Sequence, residues 1–189
     1  EQVVMSDPAL PGTVLRLPFV YGPRDYQHRS FPFLKRMDDG RAAILMDEAR
    51  ANFRATWGYV ENVADAIVLT ITDERAVGRT YNVGETSMAW AEWVRGLGQA
   101  ARWRGQVVVV PREDLPIHLH YSENLTGHLV ADTTRIRREL GYAELVPRAE
   151  GLQQTVAWER AHPPKQIDAQ SYDYAAEDAT LEKVGWGSS

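Results

Sequence analysis

The sequence predicts an α/β fold, on three observations. Short apolar runs of strand character alternate with longer stretches of helical spacing. Glycine or proline stands at most of the junctions between them. The convincing strands are too few for a self-contained doubly wound sheet, so only part of one is expected, joined to a smaller mixed α/β lobe.

The chain opens with Glu1-Gln2-Val3-Val4-Met5, which reads as the last turns of a helix already under way, with no initiator Met and no capping residue before it. Further sequence upstream is expected; removal of a tag would give the same opening. A turn cluster, Asp7–Gly12, precedes a strand over Thr13–Val20, which Tyr21-Gly22-Pro23 ends. Phe31–Met37 carries apolar residues at helical spacing, closed by Asp38-Asp39-Gly40, and the short apolar run Ala42–Met46 follows. The clearest helix is Glu61–Thr72, where Val63, Ala64, Ile67, Val68 and Ile71 share one face. Gly78 turns the chain into the strand Thr80–Val83. Met88–Trp103 is helical but weakened by Gly96 and Gly98, and Val107–Val110 is a β-branched strand stopped by Pro111. Pro111–Val130 reads as a loop. Asp132-Thr133-Thr134 caps a helix over Arg135–Leu140 that Gly141 stops. A last long helix, Glu150–Ala161, breaks at His162-Pro163-Pro164, leaving an acidic tail, 165–189, expected to be loose with one short amphipathic helix.

Composition excludes several classes of function. At 189 residues, 44% hydrophobic and 25% charged, the chain can bury a real core. A net charge of −5, with arginines scattered among acids, argues against a nucleic-acid partner, because phosphate binding needs a surplus of cations on one face. The absence of cysteine removes disulfides, thiolate nucleophiles and zinc–thiolate sites, and suits a reducing cytoplasm. The longest apolar runs are too short to span a bilayer, and no membrane partner is expected.

Few of the motifs that carry chemistry are present. A dinucleotide pyrophosphate needs a glycine-rich turn between a strand and a helix, and the sequence has no G-x-G-x-x-G. No G-x-S-x-G elbow exists to hold a serine nucleophile. His118 and His120 lack a third ligand at metal spacing, so no metal site is expected. The acid pairs Asp38/Asp39, Asp47/Glu48 and Glu177/Asp178 are adjacent in sequence and read as solvated turns and helix surface.

Three stretches, in order, resemble one family. Leu15-Arg16-Leu17-Pro18-Phe19-Val20-Tyr21-Gly22-Pro23 resembles the L-R-x-x-x-V-Y-G-P strand and turn of the extended short-chain dehydrogenases. Trp57-Gly58-Tyr59-Val60-Glu61-Asn62-Val63-Ala64-Asp65-Ala66-Ile67 is similar to that family's x-x-H-V-D-D-V-A-x-A-I, and Gly78–Gly84 to its G-x-x-Y-N-I-G. Asp132–Tyr142 and the helix Glu150–Pro164 also fit. The resemblance is to the NAD-dependent epimerase/dehydratases, over residues 1 to about 164.

It implies a Rossmann-like unit holding the last strands of the parallel sheet (1–25 and 57–84) and a substrate-binding lobe (26–56 and 85–164). The family's catalytic Tyr-x-x-x-Lys would fall before residue 1, so no catalytic residue is expected in this chain. NAD or NADP is implied, with its main binding elements absent from the sequence. By the same resemblance Pro18, Phe19 and Val20 would lie near the nicotinamide, and Tyr21, Arg54, Trp57 and Tyr59 would face substrate. Phe19 departs from the family's substrate-binding Asn, which allows a less polar ligand than a sugar nucleotide. Tyr59 replaces a His, keeping a hydrogen-bonding ring. Arg54 would form a planar pair with a phosphate, or else a surface ion pair. Trp57 would line the pocket or fill the core.

Two functions follow as expectations. One is the substrate-binding portion of an epimerase, dehydratase or reductase, completed by a missing N-terminal half. The other is a stand-alone, non-catalytic oligomeric module that associates through the exposed sheet edge. A cofactor-sensing relative is a third reading.

Overall fold

The computed structural model describes residues 1–6, 9, 11–121, 125 and 127–187. The predicted turn at Asp7–Gly12, the loop at Pro111–Val130 and the final Gly-Ser-Ser lie partly outside them. In chain order the elements are α1 (Gln2–Met5), β1 (Val14–Arg16), β2 (Phe19–Tyr21), α2 (Phe31–Asp38), β3 (Ala43–Asp47), α3 (Glu48–Asn52), β4 (Arg54–Ala55) and β5 (Trp57–Tyr59). Then come α4 (Val60–Thr72), β6 (Thr80–Asn82), β7 (Met88–Ala89), α5 (Trp90–Ala100), β8 (Gln106–Val110), α6 (Thr134–Leu140), α7 (Arg148–Ala161) and α8 (Tyr174–Lys183). The class is α/β, as the sequence predicts.

The single strand expected over Thr13–Val20 is two strands, broken where Pro18 lacks the N–H a ladder requires. The two halves then serve different partners. β1 pairs in parallel with β6, Leu15 opposite Tyr81. β2 pairs in parallel with β5, Val20 opposite Gly58. β3 and β8 form a third parallel pair, and β4 and β7 an antiparallel one. Gly58 permits the close approach of Pro18 and α4: a Cβ there would stand 2.6 Å from Pro18 Cγ and 2.8 Å from Val63 Cγ2.

Three apolar clusters hold these layers. The largest joins Tyr21, Trp57 and Tyr59 to residues of α2, β3, α5 and α7, so the strands assigned to the Rossmann-like unit share a core with the lobe. At its centre Trp57 and Trp93 stack at 4.4 Å and 6°, a contact contributing about 0.5–1.5 kcal/mol beyond its buried area. The second cluster gathers Val63, Ala66, Tyr81, Val83, Ile136 and Leu140. The third, Ala43, Leu45, Val110 and Leu115, is covered by Leu181 of α8.

Several expectations are corrected. In α4, Val63 is buried but Ile67, Val68 and Ile71 are exposed, Ile71 to 77%. The inward positions include Asn62, whose amide donates to Val146 O and accepts from Val146 N, both at 2.9 Å. A polar residue can face the core once both ends of its amide are satisfied. Nor is the tail loose, because the carboxylate of buried Glu177 accepts from Arg36 Nε and Nη2 at 3.0 and 2.7 Å. Asp178 pairs with Arg41, and Lys183 with Asp114. Asp47 is likewise buried rather than solvated.

Gly58→Ala is expected to lower stability by about 1–3 kcal/mol, because the added methyl overpacks the β2–β5 pair. Thermal or urea unfolding of the purified variant measures it, and an unchanged midpoint would contradict this packing.

Candidate functional site

Where the kinked strand ends, its first β2 residue, Phe19, opens onto a cavity of about 510 Å³. The walls come from residues 27–29, the start of α2, Arg50 of α3, Phe53, Trp90 at the start of α5, and Tyr121, Leu125, Gly127, His128 and Leu129. Phe19, Phe33, Phe53, Trp90 and Tyr121 make the lining largely aromatic, with Arg29, Arg50, His28 and His128 among them. The size and the mix of apolar walls with few polar groups are those of a small-molecule site. A second cavity of about 370 Å³ shares Gln27, His28, Pro32, Phe33 and Arg50 with the first.

The cations are held in place. Arg50 lies over the rings of Phe33, Trp90 and Tyr121 at 5.9, 5.3 and 5.2 Å, an arrangement that stabilises a guanidinium electrostatically. Arg29 donates to Val20 O and to Asp25 at 3.1 and 3.0 Å. Beneath them Asp47 caps α3 by accepting from Arg50 N at 2.8 Å. It also accepts from Tyr121 Oη at 2.7 Å and from Arg112 Nη1 at 2.8 Å. Burial pushes the Asp47 carboxyl up, but these donors outweigh it and hold it below the ordinary aspartate value.

The structure separates the residues expected at the site. Phe19 lines the cavity, in T-shaped contact with Trp90 at 6.2 Å. Pro18 packs over Gly58, and Val20 joins the second core cluster. Tyr21, Trp57 and Tyr59 are core residues rather than wall residues. The Tyr21 hydroxyl donates to Glu85 at 3.1 Å, and burial together with that carboxylate pushes the phenol far above its ordinary range. The Tyr59 hydroxyl donates to Gln154. Arg54 is on the surface, donating to Ser87 O at 3.0 Å and standing 3.9 Å from Glu92.

Sequence reasoning missed Trp90, Arg50, Phe33 and His28. Their signal was faint, since each sits in an ordinary helical or turn pattern and they converge only in space. Among the described residues no group of three His, Cys, Asp or Glu stands together to hold a metal ion. No described helix is long and apolar enough to cross a membrane.

Parallel strand pairs flanked by helices, with an aromatic cavity at the end of a kinked strand, define a Rossmann-like α/β fold. Residues 2–84 match the model of the NAD dependent epimerase/dehydratase family. A dTDP-glucose 4,6-dehydratase of Streptomyces griseus is 34% identical over 149 residues, covering 75% of this chain and 40% of the relative. One from Neisseria gonorrhoeae is 28% identical over 158 residues, covering 79% and 44%. Among solved structures, the dTDP-glucose 4,6-dehydratase of Bacillus anthracis, in complex with NAD, superposes with a TM-score of 0.64 at 18% identity, covering 85% of this chain and 49% of that one. The UDP-glucose 4-epimerase of Thermotoga maritima, solved with UDP-glucose, gives 0.63 at 23% identity, covering 82% and 48%. Through residues 2–84 the chain belongs to the NAD-dependent epimerase/dehydratase family, and it spans less than half the length of the curated relatives it matches.

Asp47 gives a pH prediction. Its carboxyl is held lower in the folded state, so its contribution is present above the unfolded value of about 3.9 and is lost as pH falls through the folded value. Asp47→Asn is expected to cost about 1–3 kcal/mol at neutral pH and to flatten the stability loss below about pH 5. Urea unfolding at a series of pH values reads both; parallel curves for the two proteins would contradict the assignment.

Proposed function

We propose that this chain is the substrate-holding portion of a nicotinamide-dependent epimerase, dehydratase or reductase that acts on a sugar nucleotide or a related small hydroxy or keto compound. The observation that carries the reading is the aromatic cavity at Phe19, on a chain whose residues 2–84 match the family. Flat walls such as Phe19, Phe33 and Trp90 suit the apolar face of a sugar or a base, and they exclude water from it. Phe19 cannot offer a hydrogen bond, so polar recognition falls to the histidines and arginines of the lining. The named relatives act on dTDP-glucose and UDP-glucose, which makes these compounds the natural first ligands to try.

The nicotinamide cofactor is a separate matter. The sequence contains no glycine-rich strand-to-helix turn, and no described loop replaces one. The residues present therefore do not fit the pyrophosphate, and no chemical step is assigned to this chain alone. Pro18, Phe19 and Val20 would meet only the nicotinamide end.

A partner is supported by α4 and β1. Ala64, Ile67, Val68 and Ile71 form an exposed apolar face, and among the described residues β1 pairs only with β6. Both features suit a nucleotide-binding lobe packed there, in the same polypeptide or another. The second reading, a non-catalytic module that self-associates, uses the same surface.

Two measurements test these statements. Calorimetric titration of the full chain with dTDP-glucose is expected to give one saturable site, weakened about tenfold in Phe19→Ala by the loss of roughly 1.4 kcal/mol of contact. Unchanged binding by the variant would move the ligand elsewhere. Sedimentation velocity is expected to show concentration-dependent association that Ile71→Asp abolishes; a monomer at every concentration would remove the self-association reading.

A further inference from the structure

His28 is a polar group of the cavity wall that is held from several sides. It sits in the turn between β2 and α2 with φ +49°, a left-handed conformation that few residues other than glycine adopt. Its Nδ1 lies 2.7 Å from Glu159 Oε2, across 131 residues of sequence. The ring stacks on Trp158 at 5.6 Å and 22° and meets the edge of Phe31 at 6.4 Å. Glu159 is buried within α7, and its second oxygen, Oε1, has no hydrogen-bond partner. The left-handed backbone and the half-satisfied buried carboxylate cost stability, and the stacking fixes the ring despite them, which together point to a role at the site.

The chemistry of the pair follows from which nitrogen is engaged. An ionised carboxylate accepts only, so it holds the neutral ring as the Nδ1–H tautomer and leaves the Nε2 lone pair as the acceptor. No described protein atom bonds Nε2. The ring is partly open and borders both cavities, with Arg29 and Gln27 beside it. Burial pushes the Glu159 carboxyl up, and the His28 contact pulls it back only in part. The imidazole therefore stabilises a carboxylate that burial disfavours, and the carboxylate fixes the imidazole.

We propose that His28, held by Glu159, is the hydrogen-bond acceptor of the cavity, and that its Nε2 receives a hydroxyl of a small ligand resting on Phe19, Phe33 and Trp90. The ligand class is a hydroxylated ring with an apolar face. Glu159 is a positioning residue that acts through His28. The proposal deepens the substrate-holding reading, and rests on it for the identity of the ligand.

The test uses the full chain labelled with ¹⁵N-histidine. Long-range ¹H–¹⁵N correlation on the ligand-free protein at neutral pH is expected to show the His28 ring as the Nδ1–H tautomer, assigned by the signal missing in His28→Phe. Glu159→Gln is expected to abolish that preference while the protein stays folded. An Nε2–H ring in the unmodified protein overturns the proposal. Titration with dTDP-glucose is then expected to move the Nε2 resonance, and His28→Phe, which keeps the stacking, to bind about tenfold more weakly. If dTDP-glucose binds while the resonance stays still and the variant binds as well as the parent, the His28 proposal fails and the substrate-holding reading stands. If neither dTDP-glucose nor UDP-glucose binds at millimolar concentration, both fail.

Discussion

One buried carboxylate, Glu85, fastens the elements on which the rest of the molecule depends. It accepts from Tyr59 N at 2.8 Å, from the Tyr21 hydroxyl at 3.1 Å and from Arg148 Nε at 2.7 Å. Those donors belong to β5, β2 and α7, and Glu85 itself lies just past Val83 and Gly84 at the end of β6, with its own N–H donating to Trp57 O at 2.8 Å. Four segments of the chain thus meet at one side chain. A buried charge is tolerable only when its lone pairs are used, and the Arg148 guanidinium supplies the counter-charge. Tyr21 and Tyr59 of the first apolar cluster both bond Glu85, so β2, β5 and α7 are held in one register.

From that register the cavity follows. β2 is locked to β5, and the break at Pro18 turns Phe19 towards α3 and α5 rather than along the sheet. The aromatic cluster of Trp57, Trp93 and Trp90 carries the wall outward from the core, Trp57 stacked on Trp93 and meeting Trp90 edge-on at 5.1 Å. The far wall, the 27–33 turn, is braced by Arg29 on Val20 and Asp25 and by His28 on Glu159. The cavity is built mainly from side chains whose backbone lies in or beside regular elements, which favours a largely preformed shape.

Much of this was legible in the sequence, and what was not has physical causes. The ends of α2 and α6 were readable because glycine and capping residues act locally: Gly141 stops α6 at φ +77°, and Asp132 Oδ1 accepts from Thr134 N at 2.8 Å. The Y-G-P and Y-N-V-G strands were readable from their ordered motifs. The direction of α4 was not. Periodicity reveals an apolar stripe but not which partner covers it, and Asn62 shows that hydrogen bonding can put an amide where an aliphatic residue was expected. Asp47 and Glu177 were read as surface acids because adjacent acids usually are; the arginines that bury them, Arg112 and Arg36, are 65 and 141 residues away. The cavity was reached from the sequence only at Phe19, since Phe33, Arg50 and Trp90 converge through tertiary packing.

A hydroxylated ligand held at the wall that joins Phe19, residues 27–33 and Trp90 would shield the backbone of that wall. Amide hydrogen exchange of the full chain, with and without saturating dTDP-glucose, tests it most directly. Slower exchange is expected across residues 27–33 and 127–130 and at the start of α5, with α4 and α8 unchanged. Protection confined to the exposed face of α4, or none at this wall despite binding, would contradict it.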